Sequence, residues 1–336
     1  MQRQSQFRRN EKLEKLLSEL EQDFECSEGA LRDRYSAIGV KHPLIFVFGP
    51  MRSGTTLYMQ WLASLDCFAY PSNLLSRFYY APLMGAKIHQ LLTNPEFSFR
   101  DELNDLSPAA RFESSNGKTA GSLSPNEFGY FWNRHIKYGE RDYADNQLLE
   151  KTVDKSRLVG EFAGLTSIFD KPFAIKALKH NFNVSFLSSL FNKAIFVRIH
   201  RDPASNVASV IDARKRQFGS VDPWYSFKVP EYESLVKLPP MDQVVGQVES
   251  INRALDAGFS IIPEHRKVDV CYEKFCENPS AAYKELADKV NGFGAYLPDS
   301  YEGEASFAVT RTINPDRSSF NSSLKRLQSL NVFSEY

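Results

Sequence analysis

The sequence is poor in several features that would define its class at once. Its 336 residues include only four cysteines, Cys26, Cys67, Cys271 and Cys276. No two of them form a CxxC pair, and no histidines lie at metal-ligand spacing, which argues against a zinc site and a disulfide framework. We therefore expect free thiols in a reducing compartment and a protein that requires no metal.

Net charge and long apolar runs are also absent. The 41 basic and 41 acidic residues cancel, so the overall charge gives no reason to expect a nucleic-acid or anionic-membrane partner. The longest apolar run, Pro43 to Pro50, is too short to span a bilayer, and the first residues lack the apolar stretch of a secretory signal. These absences predict a cytoplasmic protein without a transmembrane segment, although a tether through a partner protein would leave no such trace.

Residues 10 to 24 carry leucines at helical spacing between Glu and Lys residues, which predicts an amphipathic helix. We interpret residues 1–40 as a helical extension that packs against the main domain. An oligomerisation helix is the alternative and leaves a homo-oligomer open, but about two heptads are too few for a coiled coil.

Buried strands alternate with helices through the rest of the chain. The predicted strands are Leu44 to Phe48, Pro172 to Ala177, Lys193 to Ile199 and Lys267 to Cys271. The predicted helices are Thr56 to Leu65, about ten residues from Pro203, and Ser280 to Val290. This alternation predicts an α/β fold with a central parallel sheet and right-handed crossovers.

The first strand runs into a glycine loop, GPMRSGTT, and then into a helix. Its candidate binding residues are Gly49, Arg52, Ser53, Gly54, Thr55 and Thr56. Such a loop aims several backbone N–H groups and the positive end of the helix dipole at one anion. The triphosphatase version needs a lysine where Thr55 stands, and no acidic metal ligand ends a later strand. A purely structural strand-to-helix turn is the alternative.

A second candidate anion site follows the third predicted strand. Arg201 stands at the strand end, and Ser209 follows eight positions later on the next helix. A guanidinium and a hydroxyl so placed can reach one phosphate, the guanidinium in bidentate fashion. For Arg201 alone, an ion pair with Asp202 or a neighbouring acid is an equally good interpretation.

Together the two motifs resemble the 5′-phosphosulfate loop and the 3′-phosphate motif of sulfotransferases that use 3′-phosphoadenosine-5′-phosphosulfate (PAPS), including bacterial and tyrosylprotein types. The resemblance implies a three-layer α/β/α, P-loop NTPase-like fold, PAPS as donor and adenosine 3′,5′-bisphosphate as product. It places Arg52 at the bridging oxygen and the transferring group. Tyr272, in a Tyr-Glu pair after the fourth strand, is a softer match to residues lining the nucleotide site.

The resemblance leaves the general base open. Lys176 and His180 resemble the Lys-x-x-x-His element of bacterial members, which implies a second cation and a candidate base. Cytosolic small-molecule sulfotransferases instead place histidine two positions after the lysine, where this chain has Leu178. Tyrosylprotein sulfotransferases use a glutamate, and Glu127 is one candidate. We prefer Glu127, expecting burial beside Phe128 and other aromatic residues to raise its pKa.

The resemblance also implies an acceptor that carries a hydroxyl. The aromatic-rich insertions at 66–145 and 215–240 suit a sugar, a phenol or a lipid-linked acceptor such as a glycolipid. We expect a sulfotransferase domain at 41–300 and a lid or tail at 301–336, where Arg311 and Arg317 close over the donor. A P-loop kinase or other phosphotransferase, and a non-catalytic nucleotide-binding protein, are the alternatives.

Overall fold

The computed structural model describes residues 10–97, 106, 112–115, 117–138, 143–310 and 316–333. Its strands are β1 (Leu44–Phe48), β2 (Ser114–Ser115), β3 (Lys118–Thr119), β4 (Phe173–Lys176), β5 (Ala194–His200) and β6 (Lys267–Cys271). Its α-helices are α1 (Glu11–Ser36), α2 (Thr55–Ser64), α3 (Pro82–Thr93), α4 (Gly129–His135), α5 (Asn146–Thr152), α6 (Lys155–Phe169), α7 (Val184–Leu190), α8 (Pro203–Phe218), α9 (Tyr232–Leu235), α10 (Pro240–Ser260), α11 (Tyr272–Glu277), α12 (Pro279–Asn291) and α13 (Arg317–Ser329). Short 3₁₀ segments are Leu75–Phe78, Pro95–Phe97, Leu178–His180 and Glu264–Arg266.

The four long strands form one parallel sheet in the order β4-β1-β5-β6. All five residues of β1 are buried, which explains why this strand appears in the sequence as an uninterrupted apolar run. Each predicted strand lies within a residue of its predicted bounds. The short strands β2 and β3 pair separately as an antiparallel hairpin.

Alternate residues of the sheet feed two hydrophobic cores. Phe46 and Phe48 pack on one face with residues of α6, α7 and α10, whereas Ile45 and Val47 face α2, α11 and α12. The pleat of β1 therefore separates the cores, as side-chain alternation along a strand requires. The molecule has helices on both faces of a parallel sheet, and this confirms the predicted three-layer α/β/α fold.

Two helices are longer than the sequence predicted. α1 continues to Ser36 rather than stopping near residue 24, because Glu28 and Leu31 extend its buried face. α8 has 16 residues instead of about ten and ends at Gly219, which adopts the left-handed conformation that terminates helices. α1 packs against α3 and α6. No helix in the described part of the chain is long and apolar enough to cross a membrane.

The strand order creates a crevice at the carboxyl end of the sheet. The chain leaves β1 towards β4 on one side, and β5 then pairs with β1 on the other side. Ligands of open α/β sheets bind at such a switch point, beyond the carboxyl ends of the strands. Lys176 ends β4, Gly49 follows β1, Arg201 follows β5 and Tyr272 follows β6. Every strand of the sheet thus delivers a predicted site residue to this edge.

Candidate active site

The glycine loop needs both of its glycines. Gly49 and Gly54 have φ angles of 150° and 104°, which favour glycine. A Cβ on Gly54 would lie 2.3 Å from the Tyr272 ring, and one on Gly49 would lie 2.6 Å from the Ile199 carbonyl oxygen. The loop therefore passes close to β5 and directly under Tyr272.

Helix α2 starts at Thr55, and no side chain caps its N-terminus. The first N–H groups of a helix have no partner within it, so these donors and the helix dipole point into the crevice. The Ser53 hydroxyl is fully buried and has no hydrogen-bond partner among the described residues. A buried hydroxyl beside unpaired N–H groups is what an anionic group bound there would satisfy.

Two asparagines that the sequence analysis missed hold the loop. The Asn181 side chain accepts a hydrogen bond from the Gly49 N–H at 3.1 Å and donates to the Gly49 carbonyl at 3.0 Å. The Asn206 amide donates to the Met51 carbonyl at 2.7 Å. Both asparagines are buried. They fix the loop to the segment after β4 and to α8, contacts that sequence spacing alone does not reveal.

Arg52 and Ser209 meet in the crevice. The Arg52 Nε donates to the Ser209 Oγ at 3.3 Å. Arg52 itself has φ 66°, so the loop holds this residue in a conformation that is uncommon outside glycine. Burial lowers the pKa of Arg52, and the nearby charge of Arg201 acts in the same direction. The two sequence motifs thus form one basic site.

Arg201 is almost fully buried beside the loop. One of its terminal nitrogens donates to the Arg52 carbonyl at 3.2 Å, and another donates to the carbonyl of Thr310. Its guanidinium lies 4.8 Å from the centroid of the Tyr272 ring, a cation–π contact. The Tyr272 hydroxyl accepts from the Thr310 N–H at 3.2 Å. The C-terminal segment therefore contacts both predicted nucleotide residues.

Of the acids considered as ionic partners of Arg201, Asp202 does not pair with it among the described residues. Asp202 caps α8 by accepting from the Ser205 N–H at 2.9 Å, and it pairs with Arg317 at 3.0 Å. The Arg201 Nε instead lies 4.0 Å from Glu273.

Lys176 connects the loop with the candidate base. Its Nζ donates to the Thr56 Oγ1 at 2.8 Å and lies 3.3 Å from the Glu127 Oε1. The lysine side chain is 3% exposed. Burial lowers its pKa, and the carboxylate of Glu127 opposes that effect. This arrangement sets a cation between the anion-binding helix and a carboxylate.

One expectation about Glu127 is wrong. Its side chain is 55% exposed, whereas the sequence analysis expected burial beside aromatic residues. Phe128 and Trp132 point into the core instead, because Phe128 adopts a left-handed conformation immediately before α4. The turn leaves Glu127 on the open side of the site, with Lys176 as its ionic partner.

His180 lies apart from this cluster. It is fully buried, and its ring packs 4.3 Å from that of Trp132, measured between centroids. Neither ring nitrogen has a hydrogen-bond partner among the described residues. Burial, with smaller effects from Lys179 and His135, lowers its pKa to about 3. His180 is therefore neutral near pH 7 and enclosed behind the indole.

The 215–240 segment adds two residues that the sequence analysis did not select. Tyr225 is buried, and burial raises the pKa of its phenol. The charges of Arg52 and Glu127 both act on that pKa, which places Tyr225 within electrostatic reach of both. The charge of Arg216 acts on Arg52. No motif in a single sequence points to either residue. Within the described ranges, no cluster of His, Cys, Asp and Glu could hold a metal ion.

The family model of the sulfotransferase family matches residues 43–291, more than half of the chain. The chain belongs to the sulfotransferase family. The match runs from the start of β1 to the end of α12 and so contains every predicted site residue. It favours the sulfotransferase prediction over the phosphotransferase alternative.

Curated sulfotransferases of similar sequence come from mycobacteria. The omega-hydroxy-beta-dihydromenaquinone-9 sulfotransferase Stf3 of Mycobacterium bovis is 24% identical over 278 residues, as is that of Mycobacterium tuberculosis. The alignment covers 77% of this chain and 66% of the relative. The chain thus spans slightly less than two thirds of the length of these relatives.

Solved sulfotransferase structures also resemble this chain. Sulfotransferase STF9 from Mycobacterium avium has a TM-score of 0.49 at 15% identity, covering 86% of this chain and 68% of that one. Sulfotransferase STF1 from Mycobacterium tuberculosis H37Rv has a TM-score of 0.48 at 17% identity, covering 81% and 73%.

Proposed function

We propose that this chain transfers a sulfuryl group from PAPS to an acceptor hydroxyl. The observation that carries the proposal is the hydrogen bond between Arg52 and Ser209. It joins the loop that resembles a 5′-phosphosulfate site to the helix that resembles a 3′-phosphate site. A nucleotide with phosphates on both its 3′ and 5′ positions would contact both motifs at once.

The residues of the crevice fit such a donor. The uncapped N-terminus of α2 and the buried Ser53 hydroxyl would bind the 5′-phosphosulfate, with Arg52 beside the bridging oxygen. Arg201 and Ser209 would bind the 3′-phosphate. The Tyr272 ring, which covers Gly54, would contact the nucleoside.

The proposed reaction is an in-line displacement at sulfur. A bond forms between the acceptor oxygen and sulfur while the sulfur–oxygen bond to the 5′-phosphate breaks. The electron pair of that bond passes to the phosphate oxygen, and adenosine 3′,5′-bisphosphate leaves. Arg52 and Lys176 stabilise the charge that grows on the leaving phosphate. The acceptor hydroxyl loses its proton to the carboxylate of Glu127.

We assign the base to Glu127 because of where the two candidates lie. Its carboxylate is exposed to the open side of the crevice and lies 3.3 Å from Lys176. A general base must be within hydrogen-bond reach of the proton it removes. His180 is enclosed in the core and lacks such access, so we propose a structural role for it.

We propose further that the C-terminal segment, residues 301–336, closes over the donor site. Thr310 bonds both Arg201 and Tyr272, and Arg317 pairs with Asp202 at the start of α8. Arg311, which the sequence analysis placed in this lid, lies outside the described residues.

The name of the mycobacterial relative gives that protein a hydroxylated dihydromenaquinone as its acceptor. We carry over to this chain only the chemical type of the reacting group, an alcohol.

Transfer of labelled sulfate tests the proposal. The chain is incubated with PAPS labelled in its sulfuryl group and with extracts that contain hydroxylated metabolites and lipids. We expect label in an organic product and an equal amount of adenosine 3′,5′-bisphosphate. Transfer of label from γ-labelled ATP with Mg²⁺, and none from PAPS, would support a kinase instead.

A further inference from the structure

A groove of about 990 Å³ opens beside Glu127. Its walls come from α1, the segment before and within the 3₁₀ turn Leu75–Phe78, strand β3 and the start of α4. Pockets of this volume hold ligands of many heavy atoms. A groove of this size next to the proposed base can hold an acceptor much larger than its reacting hydroxyl group.

The inner end of the groove reaches the reacting centre. Gly117 lines it, and a Cβ on Gly117 would lie 3.5 Å from the Thr56 Oγ1 and 3.6 Å from the Glu127 Oε1. Both of those oxygens are also hydrogen-bond partners of Lys176. A hydroxyl bound at this end therefore lies between the proposed base and the proposed sulfuryl site.

One wall of the groove is apolar. Leu13 from α1, Leu74 and Tyr130 are its accessible apolar residues, whereas Leu17 and Phe128, which also line the groove, are buried. The Tyr130 ring is 45% exposed and lies 5.1 Å from the ring of Tyr79, and its hydroxyl donates to the Glu14 carboxylate at 2.9 Å. That bond links the first turn of α1, which carries Leu13, to α4.

Other residues of the groove lining are polar and held in place by hydrogen bonds. Asn126 donates to Asn73 at 2.7 Å, and Asn73 in turn donates to Gly121 at 2.8 Å. Lys118 and Arg77 also line the groove. Rigid amides, cations and backbone oxygens suit a head group with several hydroxyls, because such a group can both donate and accept.

From this division we infer that the acceptor is an amphipathic alcohol, with a hydroxyl-bearing head at Glu127 and an apolar chain along the wall formed by α1 and Tyr130. This inference rests on the proposed function and names its acceptor class. A simple phenol would fill a small part of the groove. A free sugar would leave Leu13 and the Tyr130 ring in contact with water, which is unfavourable.

Binding of two glucosides to the full chain tests the inference. Octyl β-D-glucoside, kept below its micellar concentration, and methyl β-D-glucoside are titrated calorimetrically into protein saturated with adenosine 3′,5′-bisphosphate. We expect the octyl compound to bind at least about tenfold more tightly, because its longer chain buries apolar surface. Equal affinities, or no detectable binding of either, would overturn the inference.

Two variants one turn apart on α1 localise the binding. Leu13→Asp should lower the affinity for octyl glucoside about tenfold or more, since it puts a charge on the apolar wall. Leu16→Asp is the matched control, because Leu16 is 53% exposed and lies outside the groove lining. An equal loss in both variants would contradict binding at this wall. If Leu13→Asp fails to fold, the comparison of the two glucosides on the wild type still tests whether an apolar chain strengthens acceptor binding.

The same titrations separate this inference from the proposed function. Binding of adenosine 3′,5′-bisphosphate without any preference for the octyl glucoside would overturn the acceptor class alone. Failure of adenosine 3′,5′-bisphosphate to bind would contradict the proposed donor site. Both the proposed function and the acceptor inference would then lose their basis.

Discussion

The Nε of Arg52 lies 3.3 Å from the Oγ of Ser209, although 157 positions separate the two residues in the chain. Arg52 belongs to the loop after β1, and Ser209 to the helix after β5. Because β1 and β5 are neighbours in the sheet, their carboxyl ends bring the two motifs into one crevice. The proposed donor, with phosphate groups at both its 3′ and 5′ positions, rests on this contact.

Arg201→Ala and Ser209→Ala should weaken the recognition of a 3′-phosphate. We expect the wild type to bind adenosine 3′,5′-bisphosphate more tightly than adenosine 5′-monophosphate. The preference should fall about tenfold in Ser209→Ala and about a hundredfold in Arg201→Ala, because charge-assisted bonds to phosphate are the stronger ones. Calorimetric titration of both nucleotides measures the change.

Arg253→Ala serves as the control for that experiment. Arg253 pairs with Glu249 on the surface of α10, so its removal should leave the preference unchanged. A preference that survives intact in Arg201→Ala would show that the 3′-phosphate binds elsewhere.

Glu127→Gln should reduce sulfate transfer at least about a hundredfold while nucleotide affinity changes little. The amide cannot accept the acceptor proton, and general-base catalysis contributes about that much or more. Glu96→Gln, on an exposed 3₁₀ turn away from the crevice, is the matched control. Near-normal transfer by Glu127→Gln would show that Glu127 is not the base.

Gly54→Ala should abolish nucleotide binding and lower stability. The added Cβ would meet the Tyr272 ring, and φ at this position is 104°. Gly294→Ala is the matched control, since Gly294 has φ 78° with no atom within 4 Å of its Cβ position. Gly294→Ala should lower the free energy of unfolding only by the backbone strain, about 1 kcal/mol. The melting temperatures of Gly54→Ala and Gly294→Ala are measured with and without nucleotide. Equal melting temperatures and equal nucleotide-induced shifts in the two variants would argue against close contact at Gly54.

Glu28 should make stability depend on pH. It is buried in α1, and its carboxylate accepts the N–H groups of Leu83 and Met84 at the start of α3, each at 2.9 Å. Burial is the main reason that its pKa rises from 4.5 to about 7, while those two bonds oppose the rise. The folded state therefore holds this proton more tightly than the unfolded state. Its stabilising effect is complete below pH 4.5 and disappears as the pH rises through 7.

Comparison with Glu28→Gln isolates that effect, because glutamine does not titrate. Between pH 4.5 and 8, the unfolding free energy of the wild type should fall by up to about 3 kcal/mol relative to the variant. Denaturant unfolding at several pH values gives this difference. A constant difference would show that Glu28 does not titrate in this range.

The parts of the fold that the sequence predicted are those with local causes. β1 is an apolar run ending at a glycine, and the loop and helix that follow it are adjacent in sequence, so one short segment contains the strand, the glycine loop and the uncapped helix N-terminus. Arg201 and Ser209 were predictable for the same reason, since strand β5 and helix α8 place them eight positions apart.

Long-range contacts were beyond sequence reasoning. Asn181 bonds a residue 132 positions away, and no local pattern marks it. The exposure of Glu127 depends on a left-handed turn at Phe128. The residue in that conformation is not glycine, so the sequence gives no sign of the turn. The groove beside it brings α1 and α4 together, and a bond between Glu14 and Tyr130, 116 positions apart, joins the two helices.

The most direct test of the donor assignment compares two nucleotides on the unmodified chain. The melting temperature is measured with adenosine 3′,5′-bisphosphate and, separately, with ATP and Mg²⁺ at equal concentration. A ligand at a hundredfold excess over its dissociation constant stabilises the native state by about 2.7 kcal/mol. Our account predicts a clear rise with adenosine 3′,5′-bisphosphate, little change with ATP and Mg²⁺, and loss of the rise in Arg201→Ala. A larger rise with ATP and Mg²⁺ than with the bisphosphate would contradict it.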